Sequence, residues 1–310
     1  MGTPLLWVGF NLFVLLSLVL DLGVLHRRAH KVEIREAALL SAVWIALAVA
    51  FGFFVWHWHG AQRGMEYFTG YVIEKALSID NLFVFLVIFR AFHVDEKVQH
   101  RVLAWGILGA LVMRGIMIAA GAALIARFHW ILPAFGVFLI YTGLHMLWKH
   151  GKQVKYERNP IFRFASTHLR VTSDYHGSRF FIRQADQLFA TPLLLVLLVV
   201  EISDVTFAVD SIPAVFGITH DPFIVYTSNV FAVLGLRALY FLWSGLLGYL
   251  RYLGYGLAAV LIFIGAKMLA DPWLHVSVHV SLALVGGMLL LATLGSLLAG
   301  PRKDPGTFGA

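Results

Sequence analysis

The 310-residue sequence has no cysteine and little charge: Asp, Glu, Lys and Arg make up only 13% of it. Without cysteine there is no disulfide, thiolate metal site, iron–sulfur cluster or thiol redox chemistry. The shortage of charge excludes more. A soluble domain carries about 25% charged residues, and a chain with roughly half that share cannot cover a surface facing water. Soluble enzyme, disordered protein and nucleic-acid-binding module are set aside. Long polar stretches are scarce too. The one such segment, Lys149–Gln187, leaves no room for a separate soluble domain. The start of the chain lacks a basic n-region, and its apolar run exceeds a typical signal-peptide h-region, so it reads as a retained first membrane helix.

What the chain has instead is apolar residues, 60% of the total, with a mean hydropathy of +0.80. A spanning helix needs about 20 of them in a run. Nine segments qualify: Pro4–Leu25, Ala37–Trp58, Tyr67–Phe89, Val102–Ile125, Trp130–Trp148, Ala190–Phe216, Phe223–Leu242, Leu253–Ala270 and Val276–Leu298. The expected fold is all-α, a polytopic transmembrane bundle forming a single integral membrane domain over residues 1–310, with 149–189 as a cytoplasmic loop. The net charge of +7 and pI of about 9.7 do not signal nucleic acid, because the basic residues sit between apolar runs. With the N-terminus outside, 18 of the 24 Lys and Arg fall in inside loops, and Arg63 and Arg127 fall outside. That bias predicts an outer N-terminus and a cytoplasmic C-terminus.

The spans repeat. Val137–Leu147 in span five and Ala259–Leu269 in span eight are identical at five of eleven positions, at an offset of 122 residues. Arg114 and Arg237 recur at an offset of 123, and Asp80 and Asp204 at 124. Because span six runs opposite to span three, this is a three-plus-three inverted repeat, spans three to five and six to eight. Such repeats place substrate near the midplane at their interface.

Five acids fall inside spans: Glu74 and Asp80 in span three, and Glu201, Asp204 and Asp210 in span six. Each charge at a helix centre costs about 2.5–3.5 kcal/mol on insertion scales. Helical spacing puts Glu201 and Asp204 on one face, and Glu74 and Asn81 nearly in line. Asp210 points away from Glu201 unless the helix breaks near Pro213, which cannot bond the carbonyl of Val209. Two readings stand side by side. The acids form structural ion pairs with Lys75, Arg114 and Arg237, or they bind a cation. Carboxylates, Asn81, Ser203, Ser211, Asn229 and freed carbonyls offer oxygen alone, which suits Mn²⁺, Mg²⁺ or Ca²⁺. Arg114 and Arg237 then pair with the acids when the site is empty. His145 reads as a bundle residue, and His57 and His59 as interfacial. Trp44, Trp56, Trp58, Trp130 and Trp148 read as belt residues. Gly106, Gly109, Gly136, Gly143, Gly265, Gly286 and Gly287 read as sites of close helix packing.

The segments from Gly70 to Phe85 and from Val200 to Phe216 resemble the paired signatures of the TerC family of integral membrane proteins, nearest its Alx type. Thr227–Phe241 and the opening Gly2–Phe10 support the likeness, which runs over nearly the whole chain. The resemblance implies Mn²⁺ export across the bacterial inner membrane. It also implies roles for Glu74, Asp80, Glu201, Asp204 and Asp210, with Asn81 beside them. The Alx type is also described as a redox modulator, yet no cysteine or cofactor motif here supports that chemistry. The expected function is thus a non-enzymatic exporter of divalent cations, with Mn²⁺ as cargo, no resident cofactor, and protons exchanged at buried carboxylates. The rival is a membrane scaffold or redox component that moves no ions. An intramembrane aspartyl protease ranks far behind, since no other protease signature is present.

Overall fold

A computed structural model describes residues 2–23, 34–128, 130–149, 171–172, 174–184, 187–243, 252–271, 273–274 and 276–299. Ten helices lie among them: α1 (Pro4–Gly23), α2 (Ile34–His59), α3 (Ala61–Ala91), α4 (Glu96–Arg127), α5 (Ile131–Lys149), α6 (Pro192–Phe216), α7 (Pro222–Leu234), α8 (Leu236–Trp243), α9 (Leu253–Ala270) and α10 (Val278–Ala299). The chain is all-α apart from a short hairpin. Seven segments are long and apolar enough to cross a membrane: α2, α4, α5, α6, α7 with α8, α9 and α10. Two of the nine expected spans fall outside that set. The described part of α1 is short, and α3 carries Arg63, Glu66, Glu74, Lys75, Asp80 and Arg90.

Local chemistry sets the helix ends. Gly60 takes φ 90°, a conformation open to glycine, so α2 and α3 are joined through one residue. Asp95 caps α4 by accepting from Lys97 N at 2.9 Å, and Asp221 caps α7 by accepting from Phe223 N at 3.0 Å. Pro192 and Pro222 occupy first-turn positions, where a missing N–H costs nothing. The break expected near Asp210–Pro213 is absent: α6 runs unbroken to Phe216. Pro213 sits in its last turn, where one lost bond is cheap. The interruption lies instead in the seventh apolar segment, at Gly235 between α7 and α8.

The polar helix α3 and the α7–α8 segment are wrapped by the others, and nearly all of α7–α8 is buried. A ring cluster ties α1, α2, α3 and α7 together. Phe231 packs against Phe51 at 5.1 Å and Phe10 at 5.6 Å between centroids. Tyr67 donates from its hydroxyl to Ala48 O at 3.0 Å, since a buried phenol needs a partner. Trp44, expected at the belt, is buried beside Gly235, whereas Trp58, Trp130 and Trp148 are exposed. Rows of exposed leucines run along α1 and α10, as lipid-facing surfaces require.

Helices α5 and α9 make the closest approach. A Cβ on Gly136 would meet Gly265 O at 2.9 Å, and one on Gly143 would meet Ala258 O at 2.8 Å. Gly286 and Gly287 face open space, so they do not serve the close packing expected of them. Of the 149–189 loop, residues 150–170 lie outside the described residues. The remainder supplies an antiparallel hairpin that the sequence did not announce, β1 (Phe181–Gln184) with β2 (Gln187–Ala190). The residues just before it are fastened to the α3–α4 turn and to α4: the Tyr175 hydroxyl donates to Phe92 O at 2.6 Å, and Arg101 donates to Ser178 Oγ at 2.7 Å.

Gly265→Leu therefore overpacks the α5–α9 contact by about 1–3 kcal/mol. Thermal unfolding of the detergent-purified protein should show a clear drop in midpoint. Gly286→Leu should leave it within error.

Candidate functional site

Four helices converge on one guanidinium. Arg114 of α4 is fully buried and makes two bonds to Asp204 of α6, Nε to Oδ2 at 3.1 Å and Nη2 to Oδ1 at 2.9 Å. Its Nη1 donates to Glu74 Oε1 of α3 and, at 3.2 Å, to Asn229 Oδ1 of α7. A fork of donors matched to a carboxylate is what arginine offers and lysine does not. Two carboxylates share one cation here, so the cluster carries one net negative charge when all three are ionised. Glu74 Oε2 and Asn229 Nδ2 are buried with no hydrogen-bond partner.

Further unpartnered buried atoms follow the same helices. Tyr71 OH, Ser78 Oγ and Asn81 Nδ2 lie on α3, at spacings that keep them on Glu74's side, and Ser211 Oγ lies on α6. Such groups are costly to bury dry and are ordinarily satisfied by water or a ligand. A cavity of about 10 Å³, the size of one water, touches Asp204 and Arg237 and is otherwise apolar, lined by residues such as Phe85 and Val200.

The remaining expected residues are scattered around this centre. Glu201 is half-buried, one turn from Asp204, and its carboxylate lies where a Cβ on Gly109 of α4 would sit. Asp210 points elsewhere: it accepts from Thr142 Oγ1 of α5 at 3.4 Å. Lys75 reaches a carbonyl rather than an acid, donating to Ala232 O at 3.1 Å in the last turn of α7, where a cation suits the helix dipole. Arg237 is buried in the first turn of α8. Asp80 lies in α3, and its side chain falls outside the described residues. No three acids or histidines converge as a preformed metal cage among the described residues.

The sequence reading missed a second polar knot. Glu66 is buried at the start of α3 and accepts from Thr219 at 2.6 Å, Arg63 at 2.9 Å and Gln62 at 3.2 Å. Beginning span three at Tyr67 left Glu66 just outside it. Arg63 also lies 4.0 Å from Asp221 Oδ2, and Asp221 had a visible signal, an Asp before a Pro opening an apolar run.

A bundle of apolar helices around a charged interior defines a multi-pass helical membrane protein. The chain belongs to the TerC family: the profile of the "Integral membrane protein TerC family" matches residues 59–304. It is 48% identical over 297 residues to the "Uncharacterized membrane protein STKORF319" of Myxococcus xanthus, covering 96% of this chain and 93% of that one. It is 45% identical over 313 residues to the "Putative membrane-bound redox modulator Alx" of Escherichia coli K12, covering 98% and 97%. It is 38% identical over 292 residues to an "Uncharacterized membrane protein" of Rickettsia bellii, covering 94% and 97%. No solved structure matches the chain.

Arg114→Gln strips the counter-charge from two buried carboxylates and should cost about 3–5 kcal/mol. Adding Glu74→Gln and Asp204→Asn should return part of that loss. A thermal-unfolding cycle that found the three changes additive would show that the groups do not interact.

Proposed function

We propose that the protein exports divalent cations, Mn²⁺ foremost, from the cytoplasm across the bacterial inner membrane. The observation that carries this reading is the uneven charge of the centre. Glu74 and Asp204 share one fully buried guanidinium, and Glu74 Oε2 is buried without a hydrogen-bond partner. Buried structural triads of unequal charge also occur, but Glu74 Oε2 and the Ser78 and Ser211 hydroxyls add acceptors that a structural pair leaves unused. An excess of buried anion is tolerated where a mobile cation completes it. The donors are hard: carboxylates, Asn81 and Asn229 amides, and the Ser78 and Ser211 hydroxyls suit Mn²⁺, Mg²⁺ and Ca²⁺ over softer ions. Glu74 and Asp204 are the first ligands, with Asp80, Asp210 and Glu201 further along the path. Arg114 holds the acids together between loads, and protons are the coupling ion.

In this reading the N-terminus lies outside, the C-terminus is cytoplasmic, α1 and α3 also cross the membrane to give nine crossings, and the two halves form an inverted repeat. The lipid bilayer and the metal ion are its partners. The printed name of the Escherichia coli relative favours a second reading, a redox-associated scaffold that moves no ions, with the docked hairpin as its cytoplasmic face.

Liposomes containing this protein alone separate the two. The exporter reading expects Mn²⁺ flux above that of empty liposomes, and the scaffold reading expects none. In an exporter-deficient strain, the parent should lower cell manganese several-fold. Asp204→Asn and Asp80→Asn should abolish that effect. If both variants accumulate normally and still lower manganese as well as the parent, the assignment of these acids fails.

A further inference from the structure

The contacts between α3 and α6 order the buried polar groups in depth. Glu66 meets Thr219, three residues past the end of α6, Gly70 lies against Val215, and Phe85 and Val200 line one cavity. The two helices therefore run antiparallel in a steady register. That register places Glu74 at the level of Ser211, and Asn81 at the level of Asp204. The two levels are seven residues apart, about 10 Å along a helix.

An offset of 130 residues superposes Glu74 on Asp204, Asp80 on Asp210 and Asn81 on Ser211, with the same six-residue step between acids in both helices. For this helix pair it stands beside the offset of 124, which sets Asp80 against Asp204. A two-fold axis between antiparallel helices exchanges one level with the other, and the residues obey that exchange. Each level holds an acid from one helix and a small polar side chain from the other: Glu74 with Ser211, and Asp204 with Asn81. Asp210 and Asp80 occupy the matching positions next in sequence to Ser211 and Asn81. Unpartnered buried atoms occur at both levels, Glu74 Oε2 and Ser211 Oγ at one, Asn81 Nδ2 at the other. Arg114 joins the levels, with two bonds on Asp204 and one on Glu74.

We infer that the two levels are twin stations for one divalent cation, and that Arg114 is an internal counter-cation occupying one station while the metal occupies the other. This rests on the exporter reading above. In the conformation described here Arg114 spans both levels, with two bonds on Asp204 and one on Glu74, so an ion entering the Glu74–Ser211 station displaces only the Glu74 bond and leaves Arg114 on Asp204. Moving the guanidinium fully onto Glu74 opens the Asp204–Asn81 station, nearer the opposite face. The ion then passes between stations without both being filled or both being bare.

Equilibrium dialysis of the purified full-length protein against MnCl₂ tests this. The wild type should bind one Mn²⁺ per chain. Arg114→Gln frees both stations and should bind two, with a larger rise in thermal midpoint on adding Mn²⁺ than the wild type shows. A single Mn²⁺ in both proteins would overturn the twin stations while leaving the exporter reading intact. No binding to the wild type would overturn both. Should Arg114→Gln not fold, transport from each face decides. Ser211→Ala should raise the KM for Mn²⁺ about tenfold or more from one face, and Asn81→Ala should do so from the other. Effects on the same face, or on neither, would overturn the inference.

Discussion

One buried guanidinium shared by two buried carboxylates governs the centre of this protein. Taking three charges out of water costs several kcal/mol per ion, and only close geometry with further hydrogen bonds repays it. Arg114 supplies that geometry by forking onto Asp204 and reaching Glu74 and Asn229. The arrangement fixes α3, α4, α6 and α7 relative to one another. When all three are ionised, Arg114, Glu74 and Asp204 together carry one net negative charge.

The rest of the bundle keeps this centre buried and in register. Aromatic rings close α1, α2, α3 and α7 around one side, and glycines bring α5 and α9 into backbone contact on another. Helix α3 is too polar to count as an ordinary membrane span, and the helices around it supply the apolar exterior it lacks. The break at Gly235 gives Lys75 a carbonyl to hold, so a lysine beside Glu74 is satisfied without drawing on the acids.

Much of this was legible in the sequence. Apolar run lengths gave the helices, because a bilayer imposes a length on every crossing. The embedded acids and Arg114 stood out because charge is rare in such runs. What was not legible depended on which neighbour each residue met. Pro213 suggested a break that its place in the last turn of α6 made unnecessary. Asp210 went to Thr142, and Trp44 went into the core, because three-dimensional packing rather than chain position decides burial. Gly286 and Gly287 have the composition of packing residues but no partner helix. The hairpin at 181–190 is too short for periodicity to reveal. The register that sets α3 against α6 also needed contacts, since apolar helices align almost equally well at several offsets.

The most direct test of the account is an experimental structure of the protein with Mn²⁺ bound. The account predicts the ion within coordination distance of Glu74 Oε2 and the Ser211 hydroxyl, with the Arg114 guanidinium drawn onto Asp204. A structure with Mn²⁺ bound elsewhere, and with both carboxylates still sharing Arg114, would contradict it.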